Sequence, residues 1–219
     1  MSTWFASAFK KFAEITPALW GILAALVILG VVLYALTRQK QRWTARMIAN
    51  AALSIALAFV LSYIRLYKLP QGGAITPASM LPILLFAYAY GVVPGMTVGA
   101  AYGVLQFIQD AYFVHPVELL LDYPLAFAML GLAGIAHNSR SSWSLVKGIL
   151  LGVCGRFLCA FIAGVIFFGS YAPEGQNVLV YSVVYNGFYL IPETIICVVV
   201  AMVPAVQRLA RQLSMGDRV

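Results

Sequence analysis

The chain has 219 residues, 63% of them apolar and 10% charged, with a formal net charge of +7. A water-soluble domain carries roughly 25% charged residues to dress its surface, so this composition and a mean hydropathy of +0.91 exclude that class. Plentiful aromatics and scarce charge exclude disorder as well.

Seven apolar stretches, at 17–37, 47–64, 78–93, 95–112, 118–137, 147–170 and 178–206, approach the ~20 residues that a membrane helix needs. They are continuous and do not alternate apolar with polar, which argues for helices and against a barrel. The expected fold is all-α, a polytopic membrane helix bundle. Lys10 and Lys11 followed by the first apolar run resemble a signal sequence, but the run is long for one and lacks a small-x-small cleavage site. It reads as a retained extra helix ahead of a six-helix core. The expected organisation is 1–44 as helix and basic linker, 45–210 as the core and 211–219 as a tail.

Lys and Arg in short connections set orientation. Arg38, Lys40, Arg42 and Arg46 form the densest basic cluster, which reads as cytoplasmic, as do His137 to Lys147 with Arg140, and the tail with Arg208, Arg211 and Arg218. The outside then receives the N-terminus and the loops Arg65–Ala78, Tyr112–Glu118 and Tyr171–Asn177. The expected location is the cell membrane, multi-pass, with the C-terminus cytoplasmic and lipid as the surrounding medium. The cations sit between apolar segments, so the positive charge reads as a topology signal and no nucleic-acid partner is expected.

Cys154, Cys159 and Cys197 lie inside predicted helices without CxxC spacing and read as buried thiols. His115 and His137 fall in loops on opposite sides, so neither a metal site nor a cofactor is expected. Gly95, Gly99 and Gly103 repeat at every fourth position and give one helix a smooth packing strip. A second strip, Ala45, Ala49, Ala52 and Ala56, serves either packing within the bundle or docking of a separate membrane subunit.

Charges at membrane depth are costly, so those that persist usually line a cavity. Asp110 and Glu118 lie beside an outer loop and read as solvated. Asp122 is about one turn inside its helix, before Tyr123 and Pro124, and reads as a cavity acid or as a plain helix-start residue favoured by the macrodipole; Glu193 follows Pro192 and reads either as a carboxylate at a broken turn on a cavity wall or as a packed, hydrogen-bonded acid. Tyr112, Tyr123, Phe168, Tyr171, Tyr181, Tyr185 and Asn186 gather toward the same outer half. An aromatic belt explains tyrosines at this level but not Asp122 and Asn186 among them. Together they describe an outward-facing pocket able to stack a flat ring, hold a cationic one by cation–π contact, and pair a carboxylate with an amino group and adjacent ring nitrogen.

Five blocks in collinear order, Leu69–Met80, His115–Phe127, Phe161–Phe168, Tyr171–Asn177 and Tyr181–Gly187, resemble the thiamine-specific substrate-binding (S) components of energy-coupling factor transporters. The similarity covers roughly 45–205 and leaves out the first helix. It implies a membrane-embedded binder that takes thiamine from outside and passes it to a transmembrane coupling subunit and two ATP-binding subunits. This chain has no GxxxxGK[ST] loop and is not expected to be an enzyme. By the same resemblance Tyr112, Asp122, Tyr123, Gly164, Phe168, Tyr181 and Asn186 contact the ligand, and Ala52 and Ala56 dock the coupling subunit. Three positions depart from the family's better-known members: Asp122 stands where they have Glu, Ala160 where they have a pocket His, and Phe168 where they have a pocket Trp. The alternatives are an S component for another small vitamin or a pyrimidine or thiazole precursor, an intramembrane enzyme, for which HExxH and GxSxG motifs are missing, and a structural scaffold, which leaves the Asp122 cluster without a role.

Overall fold

The computed structural model describes residues 43–110, 112, 114–137 and 143–215. The predicted helix at 17–37 lies outside the described residues, together with Lys10, Lys11, Arg38, Lys40, Arg42, Arg140 and Arg218.

Helix α1, Ala45–Tyr63, starts where the Thr44 hydroxyl accepts the Met47 N–H at 3.2 Å, supplying one of the partners that a helix start lacks. A small antiparallel hairpin follows, β1 (Tyr67–Lys68) and β2 (Ala74–Ile75), with Tyr67 opposite Ile75 and Lys68 opposite Ala74. Its turn runs through Gly72 and Gly73 at φ +90° and +82°, a region that glycine enters freely. Then come α2 (Leu81–Tyr90), α3 (Val92–Gln109), α4 (Pro116–Ala136), α5 (Ser144–Phe167), α6 (Val178–Met202) and α7 (Pro204–Met215). Helices α1, α3, α4, α5 and α6 are long and apolar enough to cross a membrane.

Two stretches differ from the sequence expectation. The span expected at 78–93 is a ten-residue helix, α2, with nine of its residues buried. Ten residues rise ~15 Å, half the ~30 Å hydrocarbon core. Wrapped by protein rather than lipid, α2 does not have to span. The stretch 178–206 divides at Val203, which is extended, and Pro204 opens α7 at a position where its missing N–H costs nothing. α7 is amphipathic, with Ala210 buried against the core and Arg208 and Arg211 exposed. It runs through position 210, where the sequence suggested that the core gives way to a tail. Pro192, expected to break its helix, lies within an uninterrupted α6.

α4 changes pitch along its length. It opens as α-helix, widens into a π turn at Leu121–Leu125 around Pro124, and finishes as 3-10 helix from Met129 to Ala136. Proline cannot supply the regular helical hydrogen bond, and a widened turn absorbs the misfit. The distortion falls on Asp122 and Tyr123. α3 packs on this turn almost backbone to backbone: a Cβ on Gly99 would sit 2.2 Å from the Phe127 carbonyl oxygen, and one on Gly103 2.5 Å from that of Tyr123. The glycine strip is therefore a packing strip inside the bundle. Ala45, Ala49, Ala52 and Ala56 are exposed among the described residues. Cys159 and Cys197 are buried as expected, but Cys154 faces outward from α5.

Candidate ligand-binding site

The connections that follow α1, α3 and α5 meet at one end of the bundle. The Tyr185 hydroxyl on α6 donates to the Gly72 carbonyl at 2.8 Å and accepts the Gln71 N–H at 3.1 Å. The Tyr112 and Tyr171 hydroxyls lie 3.4 Å apart, and the Tyr112 ring stacks on Phe168 at 6.2 Å between centroids. Beneath these contacts lies a cavity with about 140 Å³ open to the centre of a water molecule. A bound water needs only ~10–15 Å³ by that measure, so the space is ligand-sized. All seven residues expected at the site, Tyr112, Asp122, Tyr123, Gly164, Phe168, Tyr181 and Asn186, line it.

Their local engagements differ. Asp122 Oδ1 is buried without a hydrogen-bond partner among the described residues, while the carboxyl also shares a side-chain hydrogen bond with Glu118 one turn away. A buried polar atom left unpaired costs ~1–3 kcal/mol, which a ligand donor would recover. The Tyr123 hydroxyl is occupied by protein, donating toward the carbonyls of Asp110 and Tyr112 at 3.0 and 3.1 Å and accepting the Tyr112 N–H at 3.1 Å. Only its ring, edge-on to Phe107 at 5.4 Å, is left for a ligand. Asn186 is engaged as well: its amide donates to the carbonyls of Ala160 and Ser182 at 3.2 and 2.9 Å and accepts the Tyr189 hydroxyl at 3.1 Å. Gly164 gives no room for a Cβ, which would lie 2.2 Å from Ser182 Oγ, so α5 and α6 close tightly at the cavity wall.

The other acids correct the sequence reading in part. Asp110 is partly exposed and pairs with Arg65 at 2.8 Å and Lys68 at 2.7 Å. Burial opposes its charge, but the Lys68 hydrogen bond and the two cations outweigh it and hold the carboxyl below its ordinary value. Glu118, expected to be solvated, is 1% exposed, and its Oε2 accepts the Val114 N–H at 2.9 Å. Glu193, also 1% exposed, accepts from the Thr76 hydroxyl and from Ser79 Oγ at 2.9 Å. Outside the helices, the Tyr112 hydroxyl is raised to about 12 by its hydrogen bond with Tyr171 and by burial, so it stays protonated near neutrality.

Sequence reasoning missed Arg156. It lies inside α5, not between segments as the cations were expected to, and its guanidinium sits 4.1 Å over the Phe127 ring. A cation in an apolar run at membrane depth was the available signal. Tyr102, Gln106, Tyr185 and Tyr189 also line the cavity, together with Ala160, one of the departures from the resembled family. The lining sets Asp110, Glu118, Asp122 and Glu193 against Arg65 and Arg156, with Lys68 on Asp110, and the hydrogen bond between the Glu118 and Asp122 carboxyls needs one proton held between them. Aromatic walls and an acceptor oxygen on Asp122 suit a flat, cationic, nitrogen-bearing molecule.

Fold and cavity together define a polytopic helical membrane protein with a ligand-sized cavity recessed into one end of the bundle. Residues 48–212 match the model of the thiamine transporter protein family, Thia_YuaJ, and the chain belongs to that family. It is 37% identical to the thiamine transporter ThiT of Bacillus subtilis over 145 residues, covering 61% of this chain and 75% of that one. It is 31% identical to ThiT of Lacticaseibacillus paracasei over 172 residues, 70% of this chain and 83% of that one. The solved structure of ThiT from Listeria monocytogenes superposes with a TM-score of 0.67 at 23% identity, over 77% of this chain and 96% of that one, which supports the fold.

Proposed function

We propose that this chain is the S component of an energy-coupling factor transporter, taking thiamine from outside the cell and passing it to an ATP-driven partner module. The observation that carries the binding reading is the buried, unpartnered Asp122 Oδ1 facing an aromatic cavity. Thiamine brings an aminopyrimidine, a thiazolium carrying a full positive charge, and a hydroxyethyl arm. In the proposed pose the pyrimidine amino group donates to Asp122, and one proton is shared between its carboxyl and the ring nitrogen. Such charge-assisted pairs contribute about 1.5–3 kcal/mol. The thiazolium lies among Tyr112, Phe168 and Tyr181, where cation–π contact contributes about 0.5–2 kcal/mol.

The membrane orientation follows from charge. The end bearing Arg46, Lys147, Arg208 and Arg211 is placed in the cytoplasm by the positive-inside rule, which turns the hairpin end and the cavity outward. The exposed Ala52 and Ala56 face supports docking of the coupling subunit, since small residues let a partner helix approach closely. Family membership and the named relatives support thiamine as the ligand.

The test is calorimetric titration of purified protein with thiamine. One-site binding, weakened about 10–100-fold by Asp122→Ala, is expected. Heat with a pyrimidine precursor and none with thiamine would move the assignment to the precursor, the reading that Ala160 and Phe168 favour by removing two of the family's pocket side chains. Among the described residues Trp43 and Trp143 are exposed and line no part of the cavity, so neither is a quenching reporter for the ligand.

A further inference from the structure

Glu193 lies on α6, yet it accepts hydrogen bonds from the segment after the hairpin, from Ser79 and Thr76, 114 and 117 residues earlier in the chain. Thr76 and Ser79 are each 5% exposed and Glu193 1%, so the three-way contact is buried at the cavity wall. The Ser79 N–H closes the turn onto Thr76 Oγ1 at 3.3 Å. Residues 71–74, Thr76 and Ser79 all line the cavity, which makes this segment one of its walls. Its far side rests on the same helix, through Tyr185 on Gly72 and Gln71 and through the Tyr189 ring, which a Cβ on Gly73 would approach to 2.9 Å. α6 therefore grips the segment at two places: tyrosines at the hairpin tip and a carboxylate at its root.

We propose that Glu193 is a positioning residue that fixes the hairpin segment Leu66–Ser79 across the cavity and so governs how slowly a bound ligand leaves. The inference rests on the cavity being the thiamine site. A two-residue hairpin ladder is marginal by itself, held here by Leu66 N–H to Ile75 O at 2.9 Å and Leu69 N–H to Gly73 O at 3.0 Å. The buried pair of side-chain hydrogen bonds at its root is the larger restraint. Freed of that root, the segment opens more often while the pocket residues on α4 and α5 stay in place.

The test uses the full-length protein and two readouts. Thr76→Val with Ser79→Ala removes both donors and leaves Glu193 untouched; Glu193→Ala removes the acceptor, and Glu193→Gln keeps an acceptor oxygen. The first two are expected to speed dissociation of labelled thiamine about tenfold or more and Glu193→Gln less than about threefold. Without ligand, amide exchange at Leu66 and Leu69 should accelerate in the same order. Wild-type release and exchange in the donor-less double variant would overturn the proposal. So would Glu193→Gln behaving like Glu193→Ala, because charge and not acceptor geometry would then be what matters. If the wild type fails to bind thiamine the functional reading falls, and the exchange measurement still decides the role of Glu193.

Discussion

The recognition proposed for the cavity rests chiefly on one carboxylate. Asp122 sits on a widened turn that Pro124 imposes, and its Oδ1 has no partner among the described residues. Asp122→Asn keeps the volume, and its amide can still accept from the amino group and donate to the ring nitrogen while losing the charge, so thiamine affinity should fall less by calorimetry than the roughly 10–100-fold expected with Asp122→Ala. Asp110 should behave differently. Its lowered carboxyl means that whatever it contributes is present above the ordinary carboxylate range and is lost only as pH falls through the depressed value. It is a partly exposed pair, worth no more than about 1 kcal/mol after solvent screening. Asp110→Asn should leave thermal stability at pH 7 within a few degrees of wild type, and acid sensitivity between pH 5 and 8 should be unchanged. Rarity made Asp122 legible in the sequence, since a carboxylate one turn inside an apolar helix is expensive. Rarity alone misjudged Glu118, because nothing in the sequence shows that the Val114 N–H folds back onto it. Arg156 went unread for the opposite reason: fourteen cations invited a topology reading, and one of them is inside the bundle.

Elements position these residues through backbone contact. α3 can approach the π turn of α4 only because Gly99 and Gly103 lack side chains. Gly103→Ala places a methyl 2.5 Å from the Tyr123 carbonyl, against backbone that cannot rotate away. Overpacking of this kind costs about 1–3 kcal/mol and displaces the turn that aims Asp122. Lower melting temperature and weaker thiamine binding should therefore appear together. Gly187→Ala is the control, because its Cβ would meet only Ile191 Cδ1 at 3.4 Å and should be tolerated. The glycine spacing announced a packing strip from the sequence, and five of the six apolar runs read within the described residues hold helices long enough to cross a membrane. What was not visible is where runs stop for reasons outside themselves. α2 is short because neighbouring helices cover it, and α7 begins because Pro204 follows an extended Val203. The hairpin escaped notice because two-residue strands carry no periodicity to detect, although Gly72 and Gly73 marked its turn.

At the scale of the whole molecule, small residues serve two purposes in two places. On α3 they are consumed by contacts within the chain; on α1 the alanines face outward beside Leu53, Leu57 and Val60, all exposed. Lipid gives apolar helices no hydrophobic reason to associate, so close approach along small residues is what a partner subunit would use. Replacing Ala52 and Ala56 together by Leu adds bulk on a surface that is exposed among the described residues. Surface changes of that kind usually shift stability by less than about 0.5 kcal/mol. The cavity is lined by none of these positions. The double variant should then bind thiamine with wild-type affinity by calorimetry and melt like the wild type, while failing to co-purify with the coupling subunit and failing to support uptake in cells. Retention of the complex by this variant would defeat the docking assignment without touching the binding reading. Loss of thiamine affinity would show that α1 communicates with the site, through Ser62 and its hydrogen bond to Gln109 at 2.9 Å, rather than standing apart from it.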